Sequence, residues 1–448
     1  MTQKLQAPAP GTTSEGERAS LRKTLFSSWF GTSLEYVDFQ LYSLAAALVF
    51  DKIFFPHQSA GVALMASFAT YGVGFLARPA GAWFFGRLGD IVGRKKVLIL
   101  TITLMGLSTA AIGVLPTTEQ AGLVAPALLV FLRIVQGFGA GAELSGASVM
   151  LAEASRPDNR GFIASLVALG TTLGNIAASG VWVLIVALMP EDTLFSWGWR
   201  LPFLMSLLVM VATLWMRRNM KESPVFEEVE AMRVEEEHEA VAIPRQRFWS
   251  KSFFLVMFLR FGESGNSQLF QGFLIGYAGT VLMMDKSVGT MALLISSVCA
   301  FATVPLIGRF SDRFGRRITY RLLAGFQLLL AFPAMFALQS KTDAAVIVVI
   351  VLGNAVGSLG MFAAQSAYAA ELFGSRSRYQ KLAVAKEMGA IVSGGVSAFI
   401  AAALLVLFDN AWWPIAALIA MYSAVAFITT FLAPETRGRD LTLAEDAA

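Results

Sequence analysis

The sequence predicts an all-α membrane protein with twelve transmembrane helices arranged as two six-helix halves. Three observations predict this fold class. Of the 448 residues, 56% are hydrophobic and only 15% are charged; about twelve apolar stretches alternate with short polar gaps; and one charged motif occurs twice. A soluble chain of this length covers its surface with polar groups, whereas lipid solvates an apolar outer face. The composition therefore argues against a soluble enzyme.

Each apolar stretch is long enough to cross a bilayer, which takes roughly 20 apolar residues in helical form. Six stretches lie in the first half of the chain, and six more follow a long polar segment. The predicted helices are 24–50, 60–85, 98–115, 122–150, 161–189 and 199–217, then 252–282, 289–307, 320–338, 344–370, 382–407 and 411–432.

The basic residues are distributed unequally between the two sides of the predicted membrane. One set of loops carries most of the Lys and Arg residues, and the opposite loops hold only Lys52, Arg200, Lys286 and Lys341. Basic loops remain in the cytoplasm, so both termini are predicted to be cytoplasmic. The net charge of +4 then reflects topology, and the expected surroundings are the lipid bilayer of a bacterial cell membrane, with no nucleic-acid partner.

The same pattern divides the chain into five regions. Residues 1–23 are predicted to be a disordered cytoplasmic tail, 24–218 the first six-helix half, and 219–250 a charged cytoplasmic linker. Residues 251–433 form the second half and 434–448 a second cytoplasmic tail. The linker has mixed charge and a composition that favours a helix. We interpret it as a solvated helix without a specific role.

An internal repeat supports the two-half division. The motif G-R-L-G-D-I-V-G-R-K begins at Gly86, and G-R-F-S-D-R-F-G-R-R begins at Gly308, 222 positions later. A second pair follows in the same order, because Glu153 precedes Arg160 as Glu371 precedes Arg378. Two matched pairs in register indicate duplication, and six helices per half return the chain to the same side.

The repeated motif predicts a tight, charged turn at the membrane edge. Its glycines permit the turn, while Asp90 is placed to cap the next helix and to pair with Arg94 four residues on. Asp312 and Arg316 repeat this arrangement. Such pairs, with Glu153 and Glu371, can bridge neighbouring helices and break when the helices part, which predicts a gate. Charges that only fix topology are the alternative.

These motifs resemble the major facilitator superfamily, whose loop between helices 2 and 3 carries G-x-L-[AG]-D-x-x-G-[RK]-[RK]. More narrowly, the chain is similar to the metabolite/proton symporters, a branch with proline/betaine, α-ketoglutarate, citrate and shikimate carriers. The further segments that carry this resemblance are G-T-S-L-E-Y-V-D-F-Q-L-Y at Gly31, R-I-V-Q-G-F-G-A-G-A-E at Arg133, W-G-W-R-L-P-F at Trp197, E-S-P-V-F at Glu222 and A-E-L-F at Ala370.

The chain departs from this branch at two places. It has Glu35-Tyr36-Val37-Asp38 where the branch has Glu-Trp-Tyr-Asp or Glu-Trp-Phe-Asp, and Gly141-Ala142-Glu143 where the branch has Gly-Gly-Glu. Both changes can reshape the cavity. The resemblance implies that helices 1, 4, 7 and 10 surround that cavity.

Ionisable residues inside the predicted helices are the candidate functional groups, because each costs about 2.5–3.5 kcal/mol on insertion scales. Glu35 and Asp38 lie three residues apart on one face of helix 1. The other interior groups are Tyr42 on helix 1, Arg133, Gln136 and Glu143 on helix 4, Arg260, Glu263 and Gln271 on helix 7, and Lys386 and Glu387 on helix 11.

Counting these charges suggests proton binding. The acids outnumber the bases by two if Arg78 lies near a cytoplasmic helix end, where we expect it. Burial and a like-charged neighbour both favour a protonated carboxyl, and Glu35 and Asp38 are such neighbours, whose titration would belong to the pair. Both histidines, His57 and His238, fall in loops, so a carboxylate is the expected proton carrier.

We therefore expect a monomeric secondary transporter that couples a proton to a small organic acid. Asp38 and Glu35 bind the proton. Arg133 and Arg260 bind the substrate carboxylate through their forked donors, and Gln136, Glu263, Gln271 and Tyr42 complete the substrate site. The sequence has no phosphate-binding loop and no clustered His/Cys set for a metal, so no cofactor or metal is expected.

Several alternatives remain open at this stage. A zwitterionic osmolyte such as proline or betaine could use both an arginine and an acid, and efflux of a hydrophobic compound would fit poorly with so many interior charges. A membrane enzyme or a sensor without transport belongs to another class. The two arginines could also pair only with acids to lock helices together, and the aromatic residues near Tyr42 could only anchor helices.

Overall fold

The computed structural model describes residues 32–33, 35–92, 94–141, 151–152, 155–218, 248–374, 378–441, 443 and 445–448. All regular secondary structure in these ranges is helical. Glu143 and Glu153 lie outside them, as does most of the predicted linker. The side chains of Asp90 and Arg94 also lie outside the described part.

The first half contributes six long helices. They are α1 at residues 35–48, α2 at Ala60–Val92, α3 at Arg94–Ile112, α4 at Val124–Ala140, α5 at Arg160–Leu188 and α6 at Leu201–Arg218. Helix α5 has one irregular turn at Leu166. Short helices at Phe50–Phe54, Thr118–Ala121 and Glu191–Ser196 cover the ends opposite the charged motifs.

The second half contributes another six. They are α7 at Lys251–Gln268, Leu269–Phe273 and Leu274–Thr280, α8 at Lys286–Phe314, α9 at Arg316–Leu338, α10 at Asp343–Leu372, α11 at Arg378–Ala390, Ile391–Gly395 and Ser397–Leu407, and α12 at Trp413–Leu432. Helices α7, α10 and α11 each contain a π-helical segment, at Leu269–Phe273, Val351–Ser358 and Ile391–Gly395. Such segments often occur at functional sites.

The twelve predicted helices are confirmed, but several extend further than the apolar stretches. Helix α2 continues to Val92, where 85 was expected, and α8 continues to Phe314, where 307 was expected. The backbone therefore stays helical through the polar motif residues that follow each apolar stretch. Gly315 alone separates α8 from α9, and its φ of 104° favours glycine.

The outer surface matches a lipid environment. Within the described residues, seven helices are long and apolar enough to cross a membrane, and three shorter helices are also apolar. Large apolar side chains point outward along them, such as Trp83 with 70% and Leu329 with 79% of its surface exposed. In water these side chains would favour association, whereas lipid tails solvate them.

Within the described residues, helix contacts between the two halves position the interior. Helix α5 packs along α8 and α10, and α2 packs along α11. The contact between α2 and α11 is close: a Cβ on Gly72 would lie 2.3 Å from the carbonyl oxygen of Gly395. Only glycine allows this approach, which brings Phe75 of α2 against the π segment of α11.

Candidate functional site

Arg133 of α4 is fully buried and is held by neutral groups. Its Nη2 donates to the Tyr71 carbonyl oxygen over 3.0 Å, and its Nη1 donates to Oε1 of Gln136. The guanidinium lies 4.0 Å from the centre of the Tyr42 ring. Among the described residues, no carboxylate forms an ion pair with Arg133, and its Nε has no hydrogen-bond partner. This cation is therefore only partly satisfied by the protein.

A chain of hydrogen bonds links Arg133 to Asp38. The amide of Gln136, which contacts Arg133, donates to Thr109 Oγ1 over 2.6 Å. Thr109 Oγ1 lies 3.2 Å from Asp38 Oδ2 and 2.9 Å from the Met105 carbonyl oxygen. The Thr109 hydroxyl has one hydrogen, so it can donate to only one of these two oxygens at a time. The contact with Asp38 can therefore be made with the proton on either partner.

Tyr42 of α1 is fixed beside Arg133. Its hydroxyl lies 2.7 Å from Thr70 Oγ1, and Thr70 itself donates to the Ser67 carbonyl oxygen. Tyr42 must then be the donor to Thr70. Its ring also meets the ring of Phe203 edge-on. This fixed ring presents its face to the guanidinium, an arrangement that stabilises a cation.

Arg78 of α2 joins the two halves. Its Nε lies 2.9 Å from Oε2 of Glu387 on α11, and its Nη2 lies 3.2 Å from Oε1 of Glu35 on α1. The side chain is 4% exposed, and its guanidinium lies over the rings of Phe39 and Phe75. We call Arg78, Glu35 and Glu387 the clasp. The expectation that Arg78 lies near a helix end, outside the interior charge count, is wrong.

Arg260 and Glu263 form a close ion pair on α7. The Arg260 guanidinium lies 5.2 Å from the centre of the Phe362 ring on α10, and Nζ of Lys386 lies 5.8 Å from the same ring. The Nε of Arg260 has no partner among the described residues. The two arginines predicted to bind substrate thus differ, since one already has a carboxylate and the other does not.

Gln271 is the centre of a buried amide cluster that crosses between the halves. Its Nε2 lies 2.8 Å from Oδ1 of Asn354 on α10, and its Oε1 accepts from Asn175 of α5 over 3.3 Å. Gln40 of α1 donates to its backbone carbonyl over 3.0 Å. The π segment that contains Gln271 orients these contacts. Oδ1 of Asn175 has no partner within the described part of the chain.

At the helix ends near the motifs, the predicted gate residues of the second half meet. Arg316 Nη1 lies 2.8 Å from Oδ1 of Asp312, and its Nε lies 3.1 Å from Oε2 of Glu371. Arg160 of the first half also pairs with Glu371, at 3.1 Å. Asp312 was expected to cap α9 but instead accepts from the backbone N–H groups of residues 161 and 162 at the start of α5. This cap joins the halves.

The segment after α12 completes this network. Glu435 accepts from the backbone N–H groups of Arg316 and Arg317, so it takes the capping role expected of Asp312. Thr436 donates to Glu371 over 2.8 Å. The predicted tail at 434–448 is thus attached to the second half through specific hydrogen bonds.

Asp446 fixes the far end of that tail. It accepts from the Gly374 N–H over 3.0 Å and pairs with Lys381 at 2.9 Å. Burial by itself raises the pKa of the Asp446 carboxyl, but hydrogen bonds from Gly374, Ser250 and Lys381 hold that pKa below its usual value. The charged form is therefore the one that secures the tail.

The structure brings five of the eight predicted proton and substrate residues together and adds others. Glu35, Asp38, Tyr42, Arg133 and Gln136 lie in connected contacts around Phe39. Sequence reasoning missed Thr109, Asn175, Asn354 and the clasp role of Arg78 and Glu387. Arg78 carried a detectable signal, because it lies deep inside the apolar stretch 60–85. Thr109, Asn175 and Asn354 are uncharged, and no sequence signal distinguishes them.

Comparisons with known proteins agree with this architecture. The sequence pattern of the Major Facilitator Superfamily matches residues 28–385. The protein YdfJ of Escherichia coli (strain K12) is 44% identical over 417 residues, covering 92% of this chain and 96% of YdfJ. The shikimate transporter of the same organism is 32% identical, covering 93% of this chain and 95% of that transporter.

A further relative and a solved structure complete the comparison. A glycine betaine/proline/ectoine/pipecolic acid transporter, OusA of Dickeya dadantii (strain 3937), is 31% identical and covers 96% of this chain and 86% of its own length. The proton:xylose symporter XylE, solved with 6-bromo-6-deoxy-D-glucose, superposes with a TM-score of 0.74 at 15% identity. That alignment covers 96% of this chain and 99% of XylE, and at this identity it establishes the fold.

Proposed function

We propose that this chain, which belongs to the Major Facilitator Superfamily, carries a small organic acid across the cell membrane together with a proton. That it is a multi-pass secondary transporter follows from the family and from its transporter relatives. The substrate class and the proton coupling are the proposal. Arg133 is the residue on which the substrate assignment depends.

The proposal depends on the surroundings of Arg133. Among the described residues, no carboxylate pairs with its guanidinium, and its Nε has no hydrogen-bond partner. A buried guanidinium held by neutral groups lacks a counter-charge in direct contact, and a carboxylate would supply it with paired charge-assisted hydrogen bonds. Gln136 and Tyr42 would orient the bound acid. Arg260 keeps an unpaired Nε beside Glu263, so we propose it as a second donor, with Gln271 as the polar contact between the halves.

Proton coupling is proposed at Asp38, with Glu35 nearby on the same helix. When Asp38 is ionised, Thr109 donates to it; when Asp38 is protonated, Asp38 donates and Thr109 turns to the Met105 carbonyl oxygen. Thr109 also accepts from Gln136, so either change is transmitted to the amide that contacts Arg133. Occupation of the anion site and of the proton site would thus affect one another.

Alternating access requires contacts between the halves that form and break. We propose that the contacts of Asp312, Arg316 and Glu371 with the start of α5 close one side. By the internal repeat, Asp90, Arg94 and Glu153 would have the equivalent role in the first half. The clasp also joins the halves, through Arg78 and Glu387, and would open together with these contacts. This closed side is proposed to face the cytoplasm.

The division of the chain follows the same assignment. We propose the halves 24–218 and 251–433, joined by a cytoplasmic linker at 219–250. Both termini, at 1–23 and 434–448, would lie in the cytoplasm. A monomer contains both halves and therefore the whole proposed site.

A zwitterionic osmolyte is the second candidate, favoured by the similarity to OusA. Quaternary ammonium groups bind in aromatic cages. Here the rings of Phe39, Tyr42 and Tyr71 surround the guanidinium of Arg133, so an ammonium would have to displace it. This favours an anion over betaine at that position.

Uptake into proteoliposomes with an imposed pH gradient tests the proposal. The wild-type protein is expected to accumulate a carboxylate, whereas Asp38→Asn is expected to exchange the substrate without accumulating it. Asp343→Asn is the matched control because Asp343 is exposed at the start of α10. An Asp38→Asn carrier that still accumulates substrate on the pH gradient would contradict the proton assignment.

A further inference from the structure

Lys386 of α11 is a buried cation that has no partner in the described part of the chain. The residue is 7% exposed, and its Nζ forms neither an ion pair nor a hydrogen bond with any described residue. The nitrogen lies 5.8 Å from the centre of the Phe362 ring on α10. A buried ammonium group without hydrogen-bond acceptors is costly, so its surroundings are incomplete.

The carboxylates near Lys386 already have other partners. Oε2 of Glu387, the next residue, lies 2.9 Å from Nε of Arg78, and Glu263 forms its close pair with Arg260. Both acids are within electrostatic range of Lys386, but so is the guanidinium of Arg260, which repels the ammonium group. The acids therefore hold the arginines in direct contact and leave the lysine without an ion pair.

Gln365 of α10 is a second incomplete group beside the same ring. The residue is 0% exposed, and neither its Oε1 nor its Nε2 has a hydrogen-bond partner within the described residues. Each buried polar group left unpaired costs about 1–3 kcal/mol. Gln365 follows Phe362 by three residues, which places the two side chains next to one another on one face of α10.

The Nε of Arg260 completes a group of unpaired atoms around Phe362. It has no partner among the described residues, and the guanidinium lies 5.2 Å from the centre of that ring. The ammonium of Lys386 offers three hydrogens, the amide of Gln365 two and the Nε one, against a single acceptor oxygen. Unpaired donors thus predominate, and two of the three groups are cations, so the missing partner is an oxygen-rich anion.

We infer that the substrate is a dicarboxylic acid whose second carboxylate binds to Lys386 and Gln365. In the proposed function, on which this inference rests, Arg133 binds the first carboxylate. The Lys386 ammonium donates to the second carboxylate, and the amide nitrogen of Gln365 donates to its other oxygen. The amide oxygen accepts a further hydrogen of the ammonium group. Charge-assisted hydrogen bonds of this kind are roughly twice as strong as neutral ones.

A dicarboxylic acid bound in this way joins the two halves. Arg133 lies on α4 of the first half, whereas Lys386 and Gln365 lie on α11 and α10 of the second. Tyr36 of α1 connects the two positions, because it lies close to Arg260 and to Tyr71, whose carbonyl oxygen accepts from Arg133. An acid with one carboxylate reaches only one of the two positions and leaves the other incomplete.

Two variants remove the second position without disturbing the first. Lys386→Met removes the ammonium group and keeps a side chain of similar length, and Gln365→Leu removes the amide. No described residue loses an ion-pair partner in either variant, so the melting temperature without ligand is expected to stay the same or to rise. A lysine with only a structural role predicts a lower melting temperature. Lys251→Met is the control, because Lys251 is exposed at the start of α7.

The experiment is isothermal titration of the purified protein in detergent with matched pairs of acids. The pairs are succinate with butyrate, glutarate with pentanoate, and adipate with hexanoate, so that members of a pair differ only in the second carboxylate. In the wild type and in Lys251→Met, at least one diacid is expected to bind roughly tenfold to a hundredfold more tightly than its partner. Lys386→Met should abolish this preference and keep the affinity for the monoacids, and Gln365→Leu should reduce it.

The other outcomes separate this inference from the proposed function. Monoacids that bind as tightly as diacids in every pair, or a diacid preference that survives Lys386→Met, overturn the second position and leave the anion site at Arg133 standing. Equal losses of monoacid and diacid binding in Lys386→Met also overturn it. Should Lys386→Met fail to fold, an unchanged diacid preference in Gln365→Leu overturns it. Absence of binding by all of these acids contradicts the proposed function itself.

Discussion

Two buried arginines lie over the same aromatic ring and have opposite surroundings. Arg133 and Arg78 have their guanidinium carbons 5.6 Å and 5.0 Å from the centre of the Phe39 ring. Arg78 contacts two carboxylates, one from each half, whereas Arg133 contacts an amide, a carbonyl group and aromatic rings. On this difference rests the proposal that the protein completes the environment of Arg78 and that a ligand completes that of Arg133.

This difference separates stability from binding. A buried charge with all its partners inside the protein contributes to the folded structure, and removing one partner is costly. A buried charge that lacks a counter-charge contributes mainly to ligand binding, because the ligand supplies the counter-charge. Substitutions at the two positions are therefore expected to change different measured quantities, and each measurement tests the comparison.

The largest expected effect is on stability, from Arg78→Gln. It leaves Glu35 and Glu387 without their shared cation, and breaking a buried pair in this way costs about 3–5 kcal/mol. We expect a clear fall in the melting temperature in detergent, with little change in substrate affinity for the folded fraction. Adding Glu387→Gln to the variant should recover part of the loss. A single variant that melts like the wild type would remove the basis of the comparison.

Arg133→Gln should change binding more than stability. Losing a charged hydrogen-bonded partner of a carboxylate costs about 2–5 kcal/mol, which corresponds to a loss of affinity of roughly 30-fold or more. Isothermal titration or scintillation proximity with the carboxylate measures this. Arg260→Gln is the matched control and should lose less, because Arg260 already has Glu263. Equal losses at the two arginines would show that Arg133 has no special role.

Arg316 extends the comparison to the helix ends, where it resembles Arg78 in having two acidic partners. Arg316→Ala leaves Asp312 and Glu371 with fewer partners, so the contact with the start of α5 should open more often. Thiol labelling of Phe162→Cys in a Cys299→Ser background should then be faster than in the parent. Arg313→Ala is the control, since Arg313 is exposed two residues away from Gly315. Faster labelling with the control would indicate a general loosening.

The smallest expected effect concerns Asp446 and pH. Its pKa is lowered in the folded protein. Its contribution to the stability of the attached tail is therefore present above the unfolded pKa of about 3.9 and is lost as pH falls through the lower folded value. Attachment of the tail should be unchanged from neutral pH to about pH 4. Asp446→Asn should speed hydrogen exchange at the Gly374 amide across that range. Protection that declines already near pH 6 would contradict this assignment.

The sequence predicts most of the candidate site residues but not the partners that they contact in the structure. Arg133, Gln136 and Asp38 were predictable because interior polar groups are costly in lipid. Their connection through Thr109 was not, because a threonine in an apolar helix has no distinguishing signal. Asp312 was predicted to cap α9, yet it caps α5 of the other half, because the helix ends of the two halves meet there and Glu435 takes the local position.

What the sequence by itself determined is the membrane class, the twelve helices, the duplication and the presence of interior charges, since all of these depend on composition and periodicity along the chain. Which charge meets which partner was decided only by the tertiary structure. Glu35 and Asp38 are three residues apart, yet one joins the clasp and the other reaches Thr109. Helix packing sets those distances, and at short range in a medium of low dielectric constant distance determines the electrostatic energy.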